Sequence, residues 1–224
     1  MIEAVVFDLD DTLYRERDFV AGGYRAVARY VANTAGLPAE DIFRAMMRTF
    51  STSGRKDVFT MVITSFLKDP IPLEELIDVY RNHSPRLRLF PGYGRLLHEL
   101  RKHHKLGIIT DGIPQVQRRK VEALGLQNAV DQIIYTGDYG PQCAKPDPLA
   151  FSLMLQRLKA DPSRAVYVGD NPFKDCIGAH RAGMRFAMVQ KHNGSQRGIL
   201  TEEGQAEFTV RSLLELPRIL KRAD

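Results

Sequence analysis

Two aspartates separated by one residue follow the first apolar run of the chain. Asp8 and Asp10 stand in the segment VVFDLDDTL, residues 5–13. Because side chains alternate along a strand, residues two apart leave it on the same side. Paired carboxylates suit nucleophilic or acid–base chemistry. An ordinary acidic turn is the alternative, but a hydrophobic strand followed by three acids in four positions favours a functional site.

A second polar segment follows another apolar run. The sequence IITDG places Thr110, Asp111 and Gly112 at the end of a predicted strand and before a predicted helix. A Thr hydroxyl and the backbone N–H groups of such a turn can bind phosphate oxygens. These three residues are therefore candidates for substrate binding, although Thr and Asp are also ordinary turn and helix-cap residues.

A lysine in a proline-rich loop is a third candidate. Lys145 lies in CAKPDP, residues 143–148, whose two prolines predict a rigid loop leading into a helix. A lysine fixed in this way can bind a phosphate oxygen. A solvated surface lysine is the alternative when the segment is considered alone.

The fourth segment resembles the first in layout. In VGDNPFKD, residues 168–175, a buried strand ends at an acid, Asp170, and a second acid, Asp175, follows five residues later. Carboxylate oxygens gathered at strand ends suit Mg²⁺. Asp170 could instead cap the next helix, but no cluster of His or Cys competes for a metal.

These segments require a parallel sheet to position them. Short β-branched runs alternate with amphipathic stretches, which indicates strands joined by crossover helices. The prediction is an α/β fold with a doubly wound, Rossmann-like parallel sheet. The predicted strands are residues 4–7, 106–109, 132–135, 165–168 and 185–189, and the predicted crossover helices are residues 92–103, 114–124, 148–158 and 175–182.

A helical insertion interrupts this alternation. Residues 15–88 offer helical patterns, such as Val20–Ala35 and Glu40–Phe50, with no convincing strand between them. The predicted domains are therefore a core of residues 1–14 and 89–224 and a helical cap of residues 15–88. Glycines at 22, 23 and 54 are candidate flexible points of this cap.

Composition excludes several classes of protein. The chain has 224 residues, 44% of them hydrophobic, and the first ten do not resemble a signal peptide. We expect no membrane span and a cytoplasmic location. The two cysteines, Cys143 and Cys176, are expected to be reduced. The net charge of +5 comes from scattered clusters, such as Arg118-Arg119-Lys120, that are interpreted as solvated helix faces, so no nucleic-acid partner is expected.

Taken together, the four segments resemble the four motifs of the haloacid dehalogenase-like hydrolase superfamily. The likeness rests on FDLDDTL, IITDG, Lys145 before a proline, and VGDNPFKD. It covers residues 1 to about 14 and about 90 to 210. In that family, an insertion after the first motif is a helical cap.

The resemblance implies a magnesium-dependent phosphatase that forms an aspartyl-phosphate. It makes Asp8 the nucleophile and Asp10 the general acid and then the general base. Thr110 and Lys145 would bind the phosphoryl oxygens. The implied Mg²⁺ ligands are Asp8, the backbone carbonyl of Asp10, Asp170 and Asp175, the last directly or through water.

Membership of this superfamily leaves the reaction open. A phosphomutase acting on a sugar phosphate is the main alternative, because it uses the same four motifs. A haloacid dehalogenase needs neither Asp10 nor a metal site, and a non-catalytic binding module fits poorly because no key position is lost. The expected substrate is a small phosphorylated metabolite, a sugar phosphate or a nucleotide. The sequence leaves the substrate and the oligomeric state undecided.

Overall fold

The structure is a computed structural model that describes residues 1–69, 71–190 and 205–222. The chain divides into two compact units: residues 1–15 with 88–224, and residues 16–87. Of the predicted core, residues 191–204 and 223–224 lie outside the described residues. The roles of the two units as catalytic core and cap stay predictions.

In the first unit, the described residues form a six-stranded parallel sheet flanked by helices. The predicted fold class is confirmed. The strands are β1 (Ala4–Phe7), β2 (Lys105–Thr110), β3 (Gln132–Tyr135), β4 (Ala165–Gly169), β5 (Arg185–Val189) and β6 (Phe208–Val210). The helices of this unit are α5 (Tyr93–Leu100), α6 (Pro114–Ala123), α7 (Leu149–Leu158), α8 (Ile177–Arg181) and α9 (Leu216–Arg222).

The strand order is β3-β2-β1-β4-β5-β6. The chain therefore moves outward from β1 to β3, returns to the other side of β1 at β4, and continues to β6. In such open sheets, ligands bind at the carboxyl ends of the strands, where the direction of winding reverses. That point lies between β1 and β4, whose last paired residues are Phe7 and Val168.

The core of this unit explains why β1 is an unbroken apolar run. All four residues of β1 are buried, as expected for a strand covered on both faces. Ala4 and Val6 pack in one cluster with Phe151 and Met154 of α7. Both cysteines are buried, and no disulfide bond joins them in the described residues.

All regular secondary structure in the described residues of the second unit is helical. Its helices are α1 (Glu16–Ala35), α2 (Ala39–Ser53), α3 (Val58–Phe66) and α4 (Leu73–Asn82). Their apolar faces share one core, in which Val27 and Val31 of α1 meet Ile42 and Met46 of α2. Residues spaced by four lie on one face of a helix, which accounts for this packing.

The glycines of this unit that the sequence offers as flexible points occupy defined positions in its helices. Gly22 and Gly23 lie in the middle of α1, a continuous helix of 20 residues. A Cβ atom at Gly23 would lie 2.4 Å from Cδ2 of Tyr80, so this glycine allows close packing of α1 on α4. Gly54, with φ of 73°, ends α2 in the left-handed region.

Among the described residues, no helix combines the length and the apolar character needed to cross a membrane.

Candidate active site

The predicted segments meet at one edge of the sheet. Asp8 follows β1 directly, and its backbone N–H donates to the carbonyl of Val168 in β4 at 2.8 Å. Thr110 is the last residue of β2, and Asp170 follows the last residue of β4. The strands are parallel, so these residues share the carboxyl edge of the sheet.

A buried lysine joins two of the predicted acids. Nζ of Lys145 lies 2.7 Å from Oδ1 of Asp8 and 2.7 Å from Oδ1 of Asp175. It also donates to the hydroxyl of Tyr167 at 3.2 Å. Lys145 is 6% exposed, which contradicts its interpretation as a surface lysine. The hydroxyl of Thr12 donates to Oδ2 of Asp8 at 3.2 Å, so both oxygens of this carboxylate are held.

Three carboxylates form a group that fits a divalent cation. Asp8, Asp170 and Asp175 each offer one oxygen, and these atoms all lie within 4.8 Å of one another. Hard oxygen ligands at this separation suit Mg²⁺, which binds through a few carboxylates and keeps several waters. Lys145 offsets one of the three negative charges. The carboxylate oxygens and the negative charge that remains both fit a divalent cation.

The turn after β4 explains how Asp175 reaches this group. The side chain of Asn171 accepts hydrogen bonds from the backbone N–H groups of Phe173 and Lys174, which starts a short π-helical turn. Oδ2 of Asp175 then accepts from the backbone N–H of Asn171 at 3.0 Å. A Cβ atom at Gly169 would lie 2.3 Å from this oxygen, so only glycine leaves room for the carboxylate.

The electrostatics of this group depend on burial and on the excess of acids. Burial raises the pKa of Asp8 well above its usual value, and Asp175 and Asp170 add to this effect against the opposing influence of Lys145. Burial tends to lower the pKa of Lys145, but the charges of Asp175 and Asp8 raise it well above its usual value. Lys145 is therefore charged, and a cation beside Asp8 would favour the ionised carboxylate.

Asp10 lies in a different group. Its two oxygens, Oδ1 and Oδ2, accept from Nζ of Lys120 at 2.8 and 2.9 Å. Oδ2 also accepts from Nε2 of Gln117 at 2.9 Å, and Oδ1 accepts from the hydroxyl of Tyr14. The left-handed φ of Asp11, 57°, lies in the turn that brings Tyr14 back beside Asp10. We call these residues the Asp10 group.

The charge of Asp10 is stabilised here. Burial tends to raise the pKa of Asp10, but the positive charge and hydrogen bonds of Lys120, with those of Tyr14 and Gln117, lower it overall. Asp10 is therefore ionised at neutral pH.

Thr110, at the end of β2, and Asp111, which follows it, have different hydrogen-bond partners. The hydroxyl of Thr110 is buried and accepts a hydrogen bond from Gln117. The carboxylate of Asp111 forms hydrogen bonds within the protein. Its Oδ1 accepts from the hydroxyl of Thr136 at 2.9 Å and from the backbone N–H of Lys145 at 3.2 Å. Asp111 thus braces the loop that carries Lys145.

The backbone geometry of Gly112 fits a tight turn. Its φ of 125° is one that side-chain-bearing residues rarely adopt. Its carbonyl oxygen would lie 2.6 Å from a Cβ atom at Gly137, so two glycines allow these loops to approach. Phosphate binding by Asp111 and Gly112, through backbone N–H groups, stays a prediction.

Sequence reasoning missed Lys120, Gln117, Tyr14 and Tyr167. The interpretation of Lys120 as part of a solvated helix face is wrong, because this residue is 4% exposed. Helical spacing was the available signal: Gln117, Lys120 and Val121 share the buried face of α6. No pattern in the sequence distinguishes Tyr14 or Tyr167 from ordinary core residues.

The sequence matches the haloacid dehalogenase-like hydrolase family over residues 5–189. The glyceraldehyde 3-phosphate phosphatase of Methanocaldococcus jannaschii is 30% identical over 230 residues, covering 99% of this chain and 98% of that protein. Among solved structures, a HAD phosphatase from Thermococcus onnurineus is 28% identical, with a TM-score of 0.65 over 98% of both chains. A 2-haloacid dehalogenase from Pseudomonas syringae pv. Tomato is 27% identical, with a TM-score of 0.69 over 100% of both chains.

The chain belongs to the haloacid dehalogenase-like hydrolase family, and it is an enzyme of that family. The resemblance drawn from the four segments is confirmed. The family contains both the phosphatase and the dehalogenase named above, so the reaction has to be argued from the residues of the site.

Proposed function

We propose that the protein is a Mg²⁺-dependent phosphatase that hydrolyses a small phosphate monoester through an aspartyl-phosphate on Asp8. The observation that carries this proposal is the cluster of Asp8, Asp170 and Asp175, two of which contact Lys145, with a further carboxylate, Asp10, held separately. Phosphatases named among the relatives support the same class of reaction.

The metal would be held by the carboxylates of Asp8, Asp170 and Asp175 and by the backbone carbonyl of Asp10. When bound, Mg²⁺ supplies positive charge that lets an anionic nucleophile approach an anionic phosphate. Lys145 contributes a fixed positive charge at the same place. Thr110 would donate its hydroxyl hydrogen to a phosphoryl oxygen, because its oxygen already accepts from Gln117.

In the first step, a carboxylate oxygen of Asp8 attacks phosphorus, and the bond from phosphorus to the leaving-group oxygen breaks. Asp10 gives a proton to that oxygen. A phosphate dianion nearby disfavours the ionised form of Asp10, which offsets the lowering of its pKa in the free protein. Lys145 and Thr110 stabilise the charge on the other phosphoryl oxygens.

In the second step, water attacks the phosphorus of the aspartyl-phosphate. Asp10, now ionised, takes a proton from that water. The bond between phosphorus and the Asp8 oxygen breaks, which releases inorganic phosphate, restores the Asp8 carboxylate and leaves Asp10 protonated, as it was at the start of the first step. The environment of Asp10 in the free protein, with Lys120 beside it, suits this base form.

The alternative reactions fit the site less well. A dehalogenase needs a carboxylate nucleophile but neither Asp10 nor an acidic triad, and this chain has both. A phosphomutase uses the same groups and differs only in the acceptor of the phosphoryl group. A sugar phosphate is the first substrate class to test, because relatives are named glyceraldehyde 3-phosphate phosphatase. A cytoplasmic location stays a prediction.

The test is phosphate release from a panel of sugar phosphates, nucleotides and 4-nitrophenyl phosphate, with Mg²⁺ and with EDTA. Asp8→Asn is the control, since it keeps the shape of the side chain and removes the nucleophile. We expect turnover that needs Mg²⁺ and disappears in the variant. Isomerisation of a sugar phosphate without phosphate release would instead support the mutase.

A further inference from the structure

The carboxylate of Asp10 accepts an unusually complete set of hydrogen bonds from other side chains. It accepts four hydrogen bonds from three side chains: two from Lys120, one from Gln117 and one from Tyr14. A carboxylate has about four lone-pair positions, so all of them are occupied here, and one donor must move away before Asp10 takes up a proton. Two of the three donors lie on α6, three residues apart and on one helix face.

The burial of Lys120 shows that its contact with Asp10 is specific. The side chain of Lys120 is 5% exposed, whereas that of Arg118, two residues earlier, is 49% exposed and pairs with Asp138. An ammonium group is costly to bury unless a charged partner and hydrogen bonds compensate. Asp10 provides both, so α6 turns this one lysine toward the edge of the sheet.

Gln117 connects the same carboxylate to the end of β2. Its Nε2 donates to Oδ2 of Asp10 and also to the hydroxyl oxygen of Thr110. One amide group thus fixes the separation between the proposed acid–base residue and a proposed phosphate ligand. Lys120 and Gln117 together set where Asp10 lies relative to Thr110.

We infer that Lys120 and Gln117 are positioning residues that hold the Asp10 carboxylate in the orientation needed for proton transfer to the leaving group and from water. This inference rests on the proposed function, because it assigns Asp10 the acid–base role. The competing assignment is that Lys120 contacts the substrate phosphate directly, as Lys145 is proposed to do.

Leaving-group dependence separates positioning of an acid from a general structural role. The nitrophenolate leaving group of 4-nitrophenyl phosphate needs little protonation, whereas a sugar alkoxide needs a proton from Asp10. In Lys120→Met, we expect kcat/KM for the best sugar phosphate to fall by about tenfold or more and kcat/KM for 4-nitrophenyl phosphate to fall much less. Arg118→Met, which removes an exposed cation from the same helix, should leave both values unchanged.

A double-mutant cycle tests whether Lys120 acts through Asp10. Asp10→Asn with Lys120→Met removes both charges and so leaves no buried charge unpaired. We expect this double variant to match Asp10→Asn within about twofold in kcat/KM for the sugar phosphate. A further loss as large as the one that Lys120→Met causes in the wild type would overturn the inference, because Lys120 would then act on the substrate independently.

Crystal structures of the variants test the positioning role independently of activity. In Lys120→Met, or in Gln117→Leu if the first variant does not fold, Asp10 should adopt a different side-chain orientation. An Asp10 that keeps its orientation in the variant would refute the inference. A wild-type protein that releases no phosphate would refute the proposed function, and the structures would still decide whether these residues hold Asp10.

Discussion

Two aspartates at the end of one strand have opposite environments in this protein. Asp8 shares Lys145 with Asp175 and lies close to Asp170, so three carboxylates are gathered where one buried lysine contacts two of them. The Asp10 carboxylate accepts two hydrogen bonds from Lys120 and one from the neutral side chain of Gln117. The pKa of Asp8 is raised by burial and by the excess of acids, whereas that of Asp10 is lowered because Lys120, Tyr14 and Gln117 together outweigh the effect of burial.

Under the proposed function, charge balance, and not residue type or position in the chain, separates the roles of the two carboxylates. A group with surplus negative charge attracts a cation, and the bound cation favours the ionised nucleophile. A balanced pair needs no metal and keeps its carboxylate in place. Environments that push the pKa values of two nearby acids apart are a common basis for assigning them separate catalytic roles.

Replacing either aspartate should lower activity strongly. Asp8→Asn should abolish sugar phosphate turnover, with a loss of about 10³-fold or more, because no covalent intermediate can form. Asp10→Asn should lose about 10²-fold or more on the same substrate, since general acid–base catalysis contributes that much. Steady-state phosphate release with each variant measures both values.

Trapping the intermediate distinguishes the two losses. Asp10→Asn should still accumulate phosphoprotein from 4-nitrophenyl phosphate, because its defect lies in activating water, whereas Asp8→Asn should accumulate none. Phosphate found on Asp8→Asn after acid quenching and mass spectrometry would contradict the assignment of Asp8 as nucleophile.

The sequence predicted the sheet well because its buried strands leave a simple pattern. β1 and β4 are short β-branched runs that are buried on both faces. β6 escaped prediction because it has only three residues, Phe208–Val210, and its central Thr209 is exposed. Strand ends also placed Asp8, Thr110 and Asp170 at one edge, since parallel strands present their carboxyl ends together.

The partners of those residues could not be found in the same way. Lys120 lies 110 positions from Asp10, and only the packing of α6 brings the two together. Asp111 follows a strand end as predicted, yet its carboxylate braces the Lys145 loop. A motif predicts where a polar group leaves the sheet, whereas tertiary contacts decide what that group meets.

Stabilisation by Mg²⁺ should depend on the carboxylate of Asp8 but not on that of Asp10. Mg²⁺ at about 100 times its Kd should raise the free energy of unfolding of the wild type by about 2.7 kcal/mol. Asp8→Asn should lose most of this stabilisation. Asp10→Asn should keep it, because the backbone carbonyl at position 10 remains. Thermal unfolding with Mg²⁺ and with EDTA measures the difference, and equal Mg²⁺ effects in both variants would contradict the assignment of the triad as the cation site.

The third prediction concerns stability without metal. The lowered pKa of Asp10 means that its ionised form stabilises the fold above the pKa of the unfolded chain, and this contribution is lost as pH falls through the folded value. The raised pKa of Asp8 has the opposite sign: stability is lost as pH rises through the folded value.

In EDTA at pH 7, Asp10→Asn should therefore destabilise the protein and Asp8→Asn should stabilise it. Urea unfolding at pH 7 and near pH 4 measures both effects. Both should shrink at the lower pH. Two destabilising substitutions of equal size at pH 7 would show that the two groups do not differ in charge balance.

Removing one tyrosine hydroxyl from each group should change kcat/KM only slightly. Tyr167 accepts from Lys145 at 3.2 Å and donates to the carbonyl of Ile109 at 3.3 Å, whereas Tyr14 donates to Asp10. Each Tyr→Phe change removes hydrogen bonds worth about 1 kcal/mol, so changes of a few-fold in kcat/KM are expected.

The two tyrosine variants should differ in which substrates they affect. Tyr167→Phe should lower kcat/KM for sugar phosphates and for 4-nitrophenyl phosphate equally, because Lys145 serves the phosphoryl group of every substrate. Tyr14→Phe should lower it mainly for sugar phosphates, because only their leaving groups depend on the acid at Asp10. If both variants affected the two substrates in the same ratio, the separation of nucleophile and acid–base functions between the two groups would be wrong.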